Sequence, residues 1–135
     1  MKHLIKASVL AAFYAMPVMA DTRSEELSLI INPINATDFE VVRQMGMGPH
    51  EFWCAAASYN EARAGRSELL QIYLKRPLGP SVTAPGRQGV IFSLSNAGLP
   101  PRSDRLTVTV EEPGATLKSV QARRYCRDAF TRSTK

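Results

Sequence analysis

Residues 48–65 read GPHEFWCAAASYNEARAG, and this stretch decides the architecture. Gly48 can serve as an N-cap, Pro49 takes the first helical position, and Glu51 lies in the first turn near the positive end of the helix dipole. Ala55, Ala56, Ala57, Ala62 and Ala64 are strong helix formers, and Gly65 is placed to end the run. Phe52, Ala55, Ala56 and Tyr59 recur at i, i+3, i+4 and i+7, so one face of this helix is built to be buried. A single long amphipathic helix needs a second layer to cover it, and the flanking sequence supplies strands.

Upstream, Leu27, Leu29 and Ile31 alternate and predict a short strand ended by Asn32-Pro33. Asp38–Gln44 (DFEVVRQ) reads as a second strand, with Met45-Gly46-Met47-Gly48 as a permissive link to the helix. Downstream, Leu70, Ile72 and Leu74 alternate within a strand over Leu69–Lys75. Arg76–Gln88 (RPLGPSVTAPGRQ) holds three prolines and two glycines and is read as loop. Gly89–Ser95 is a near-continuous apolar strand suited to the middle of a sheet, and Asn96–Asp104 is a second loop. Arg105–Glu111 (RLTVTVE) alternates most cleanly, with Leu106, Val108 and Val110 inward. Glu112-Pro113-Gly114 turns the chain, and Thr116–Val120 is a candidate return strand. Ala122, Tyr125, Cys126, Ala129 and Phe130 fit a short second helix from about Gln121 to Thr131, with a strand continuing to Arg124 as the competitor. The fold class expected is therefore α+β: an antiparallel sheet of four or five strands carrying one long and one short helix on one face, held by a single disulfide.

The chain begins with the layout of an export signal. Lys2 and Lys6 precede an apolar run from Ala7 to Met16, then Pro17 and Val18-Met19-Ala20, with small residues three and one before Asp21. The expected division is a signal peptide over 1–20, cleaved after Ala20, and one α+β domain over 21–135 that is periplasmic or secreted. The run is too short for a stable bilayer span, so no membrane span is expected. Of 135 residues, two are Cys, and in an oxidising compartment Cys54 and Cys126 are expected to pair. Closing a loop of that length removes unfolded-chain entropy worth roughly 4–4.5 kcal/mol.

Charge and composition narrow the chemistry. The whole chain carries +5, and removing Lys2 and Lys6 leaves 15 bases against 12 acids, or +3. Residues 21–68 sum to −4 and residues 69–135 to +7. The basic excess concentrates in Arg123, Arg124 and Arg127, and around the proline loop in Arg76 and Arg87. Those five arginines with Pro80 and Pro85 form the candidate binding surface, and the prolines would stiffen it. No aromatic residues interleave with the arginines, so nucleic acid is not the expected partner; an envelope protein or an anionic polymer is. His50 is the only histidine after residue 20 and sits four residues before Cys54, the spacing of a Cys–His pair on one helix face. Cys54 has an oxidative partner, and a first-turn imidazolium opposes the dipole, so the disulfide reading is preferred. No G-x-S-x-G, phosphate-binding loop or H-E-x-x-H motif occurs, and no metal or cofactor site is expected. Trp53 is read as a core side chain packed over the disulfide, rather than as an exposed stacking platform.

Glu51-Phe52-Trp53-Cys54-Ala55-Ala56-Ala57, Gly79–Arg87 and Arg124-Tyr125-Cys126 resemble small exported proteobacterial proteins of unknown function. That resemblance spans most of residues 21–135 and implies an exported protein with a Trp-Cys…Tyr-Cys framework; it implies no catalytic residue. The expectation from sequence is a non-enzymatic accessory or binding protein of the cell envelope. Alternatives are an inhibitor of an envelope hydrolase acting through the proline loop, and a small enzyme using His50.

Overall fold

In the computed structural model, residues 29–101 and 108–127 are described. Strands β1 (Ile30–Pro33), β2 (Asp38–Val42), β3 (Gln71–Pro80), β4 (Gln88–Ser93) and β5 (Thr116–Lys118) form one sheet in the order β1-β2-β4-β3-β5. Every neighbouring pair is antiparallel. Helix α1 (Pro49–Ser58) carries the chain from β2 over β4 to β3, and α2 (Ser119–Arg123) follows β5. This is the expected α+β arrangement.

Strand alternation divides the sheet into two unlike faces. Ile31, Phe39, Val41, Ile72, Leu74, Val90 and Phe92 point to one side, where they form a single core with α1 and with Ala122 of α2. Trp53 is 1% exposed; its ring meets Phe92 edge-on at 4.9 Å and its indole N–H donates to the Thr109 carbonyl at 2.8 Å. Trp53 is thus a core side chain, packed on the sheet. Tyr59 covers Phe39, with ring centroids 4.5 Å apart. The other face carries Asp38, Glu40, Val42, Gly89, Ile91 and Ser93, all buried as well. A strand buried on both faces requires a second cover, and here that cover is a loop.

Helix α1 starts and stops as its sequence dictates. The Glu51 carboxylate accepts from the Gly48 backbone N–H at 2.9 Å, and Gly65 adopts a φ of +62° just past the end. The helix continues as a π-helical turn, Tyr59–Arg63, with the Ala64 N–H reaching back to the Tyr59 carbonyl at 2.9 Å. Cys54 and Cys126 are bonded, with Cα atoms 4.9 Å apart across a separation of 72 residues. The bond ties α1 to the helical residues 125–127 that follow α2. Arg123 adds an ion pair to Glu61 at 2.5 Å and another to Glu68 at 3.1 Å, and the Ser119 hydroxyl donates to Glu61 at 2.7 Å.

Several boundaries differ from the sequence reading. β1 begins at Ile30 and runs through Pro33, which an edge strand tolerates because one side of it needs no N–H. β3 begins at Gln71 and continues to Pro80, so half of the predicted proline loop is strand. Pro77 lies where the β3–β4 register shifts between Arg76 and Gly79, and Pro80 is the terminal residue; neither position asks for a ladder N–H. The loop proper is thus Ser81–Arg87. Helix α2 opens two residues earlier than predicted, at Ser119, displacing the competing strand; residues 128–131 of that prediction lie outside the described residues. Of the predicted strand Arg105–Glu111, residues 105–107 are also outside. Residues 108–111 form no strand, although the Val110 carbonyl accepts from Leu78 N–H and Val110 enters the core. The bulged register of β3 offers them no continuous edge to pair with. Among the described residues no helix is long and apolar enough to cross a membrane.

Candidate binding surface

Glu40 sits at the centre of β2 between Phe39 and Val41, and alternation sends its side chain to the face away from the helices. It is 1% exposed. A carboxylate there is tolerated only if its oxygens are satisfied. The hairpin loop between β3 and β4 does so. Oε1 accepts from the Ser81 hydroxyl at 2.5 Å, the Thr83 hydroxyl at 2.5 Å and the Thr83 N–H at 3.1 Å; Oε2 accepts from the Val82 N–H at 3.0 Å. Burial by itself would raise the Glu40 pKa, and these donors outweigh it, holding the group ionised below the usual carboxylate range. Gly89 makes room for this: a Cβ there would fall 2.8 Å from Glu40 Cδ.

The loop is also tied to itself and to β1. Ser81 Oγ accepts from Ala84 N–H at 2.9 Å, Ser81 N–H donates to the Arg87 carbonyl at 2.8 Å, and Asn32 donates to Thr83 Oγ1 at 2.9 Å. Stiffness therefore comes from Glu40 and the hydroxyls more than from prolines. Val82, half-exposed, and the exposed Pro85 and Arg87 are left facing outward.

A second buried acid, Asp38, lies one turn of the pleat away on the same face. It accepts from Lys75 at 2.5 Å, Ser93 at 2.6 Å, Thr37 at 3.0 Å and Asn35 at 3.1 Å. Burial again pushes its pKa up, and those four donors overcome the effect and bring it down to about 2. Ser93 is itself buried, so this cluster reads as a structural brace on the β1–β2 turn and on β3.

No family model, curated protein or solved structure matches the chain. Its site is therefore read from its own geometry.

The seven residues singled out in the sequence do not form one surface. Pro80, Pro85 and Arg87 belong to the hairpin on the outer face of the sheet, and Arg76 is on β3 in register with Ile91 of that face. Arg123, Arg124 and Arg127 belong to the helical layer on the opposite side, and Arg123 is held by two carboxylates. The sequence reading missed Glu40 and Arg43. Arg43 is exposed at the end of β2, donates to the Gln88 side chain at 3.0 Å, and offers its carbonyl to Arg87 at 3.1 Å. A lone glutamate inside the apolar run DFEVV was the available signal, but nothing local links it to Ser81 and Thr83.

His50 is stacked on Tyr125, with ring centroids 4.6 Å apart, and its Nδ1 is buried without a partner. Among the described residues no carboxylate or hydroxyl is hydrogen-bonded to it, and no group of three His, Cys, Asp or Glu side chains is placed to hold a metal ion.

Proposed function

We propose that the chain is an exported, disulfide-stapled binding protein of the cell envelope, without catalytic activity, whose recognition surface is the hairpin loop Ser81–Arg87. The observation that carries this reading is the ionised Glu40, buried in the sheet, that spends all four of its hydrogen bonds fixing the loop. Burying a charge is a costly way to build a sheet face. It gives the loop one conformation before any partner arrives, which lowers the ordering cost of binding. The oxidised cysteines are compatible with export, and the export signal expected over residues 1–20 supplies the route.

Cosedimentation with envelope membranes tests the proposal. The protein should pellet with the envelope fraction, and a tip variant (Val82→Ser, Pro85→Ser, Arg87→Ser) should remain in the supernatant. A variant altered at Arg124 and Arg127 alone should pellet like the wild type. Undiminished pelleting of the tip variant would remove the loop from the function.

A further inference from the structure

The end of the sheet that carries the latched loop also gathers features that the loop alone does not explain. β2 ends there at Val42, opposite Gly89. Arg43 follows at once, and Arg87 reaches across the strand gap to its carbonyl at 3.1 Å. The Arg43 guanidinium is steadied by the Gln88 side chain at 3.0 Å. Among the described residues neither arginine is paired with a carboxylate, in contrast to Arg123, which is paired with two. Each fork is positioned by one hydrogen bond and keeps further N–H donors free for an oxyanion.

Two residues beyond Arg43, Met45 stands fully exposed at the tip of a tight turn. Gly46 closes that turn with a φ of +81°, and Met47 N–H donates to the Gln44 carbonyl at 3.2 Å, so the methionine is displayed by built geometry. Val82, also apolar and 52% exposed, sits on the neighbouring loop at the same end. An isolated exposed methionine needs no explanation. A displayed methionine beside two positioned and unpaired guanidiniums has the composition of an interfacial membrane contact, in which cations meet phosphates and an apolar side chain enters the headgroup boundary. β1 also begins at this end, with Ile30 opposite Val42.

We infer that Arg43, Arg87 and Met45 dock this end of the sheet on the surface of an anionic phospholipid bilayer. This inference rests on the loop surface proposed above and names its partner. The guanidiniums engage lipid phosphates, Met45 inserts shallowly, and the Glu40-latched loop keeps Arg87 facing the surface. No spanning segment is involved.

The test is partition of the disulfide-bonded domain onto vesicles of phosphatidylglycerol and phosphatidylcholine in equal parts, against phosphatidylcholine alone. Binding is expected only to the anionic vesicles and should weaken as salt rises. Arg43→Ala and Arg87→Ala should each lower the partition coefficient about fivefold, and together about 30-fold. Arg43→Lys with Arg87→Lys should retain most of the binding, and Met45→Ser should lower it about fivefold. Near-ultraviolet circular dichroism of Trp53 checks that each variant is folded. Equal partition of wild type and the Arg43→Ala, Arg87→Ala pair would overturn the inference, as would binding of inorganic phosphate at these arginines without vesicle binding. Loop-dependent pelleting with native envelopes and no partition onto anionic vesicles would also overturn it, while leaving the proposed function standing with a protein as the partner.

Discussion

Replacing Gly89 by alanine should break the latch without touching any residue of it. The new Cβ would lie 2.8 Å from Glu40 Cδ, 2.9 Å from Oε2 and 3.0 Å from Cγ, closer than a carbon in that position can stand. Gly89 pairs with Val42 on one side and Gly79 on the other, so the backbone cannot retreat, and the carboxylate must move. Its movement strands the Val82 and Thr83 N–H groups and both hydroxyls. Hydrogen bonds to a charged group contribute about 1.5–3 kcal/mol each, but a released surface loop recovers most of that from water. Overpacking at a buried position adds about 1–3 kcal/mol, and the lower unfolded-state entropy of alanine returns about 0.4–1. The net loss should be about 2–4 kcal/mol, a large part of the ~5–15 kcal/mol available to a domain of this size. Denaturant unfolding followed by Trp53 fluorescence gives that number. Hydrogen exchange shows where it arises, because the Val82 and Thr83 amides should lose protection while Val41 and Phe92 keep theirs. In a Glu40→Ala background the obstructed atoms are gone, and Gly89→Ala should then cost about 1 kcal/mol or less. Additive costs in that double-mutant cycle, or protected Val82 and Thr83 amides in Gly89→Ala, would refute the reasoning.

Two further outcomes follow from the same structure. Reducing the Cys54–Cys126 bond, or replacing both cysteines by alanine, should lower stability by up to about 4 kcal/mol without releasing the loop, since Glu40 and its donors lie across the sheet from the disulfide. Unchanged denaturation midpoints on reduction would contradict this. Asp38, with its pKa near 2 in the fold, binds protons less readily there than in the unfolded chain. Its contribution, about 2 kcal/mol, should be complete above roughly pH 5 and fade as the pH falls toward 2. Glu40 acts in the same direction. Asp38→Asn should flatten that part of the stability profile measured by urea unfolding between pH 2 and 7; a slope equal to the wild type's would show that Asp38 does not cause it.

Much of the molecule was written locally. The Gly48-Pro49 start and Gly65 stop bound α1 because each acts through its own backbone geometry. The inward set Phe39, Val41, Val90 and Phe92 follows from alternation, which is a property of a strand by itself. With two cysteines, one bond is possible, and it formed. What alternation cannot say is what lies over the second face of a strand. Whether Glu40 meets water or hydroxyls depends on a loop forty residues later, and whether Pro77 and Pro80 interrupt a strand depends on which neighbour would have used their N–H. Likewise the +7 half of the chain reads as one basic field, yet the sheet separates Arg87 from Arg123, and Glu61 and Glu68 hold the latter. Sequence fixes the periodicity and the caps, since these act over one or two turns. Only the packing of distant segments decides which charges are latched, which are paired, and which are left facing outward.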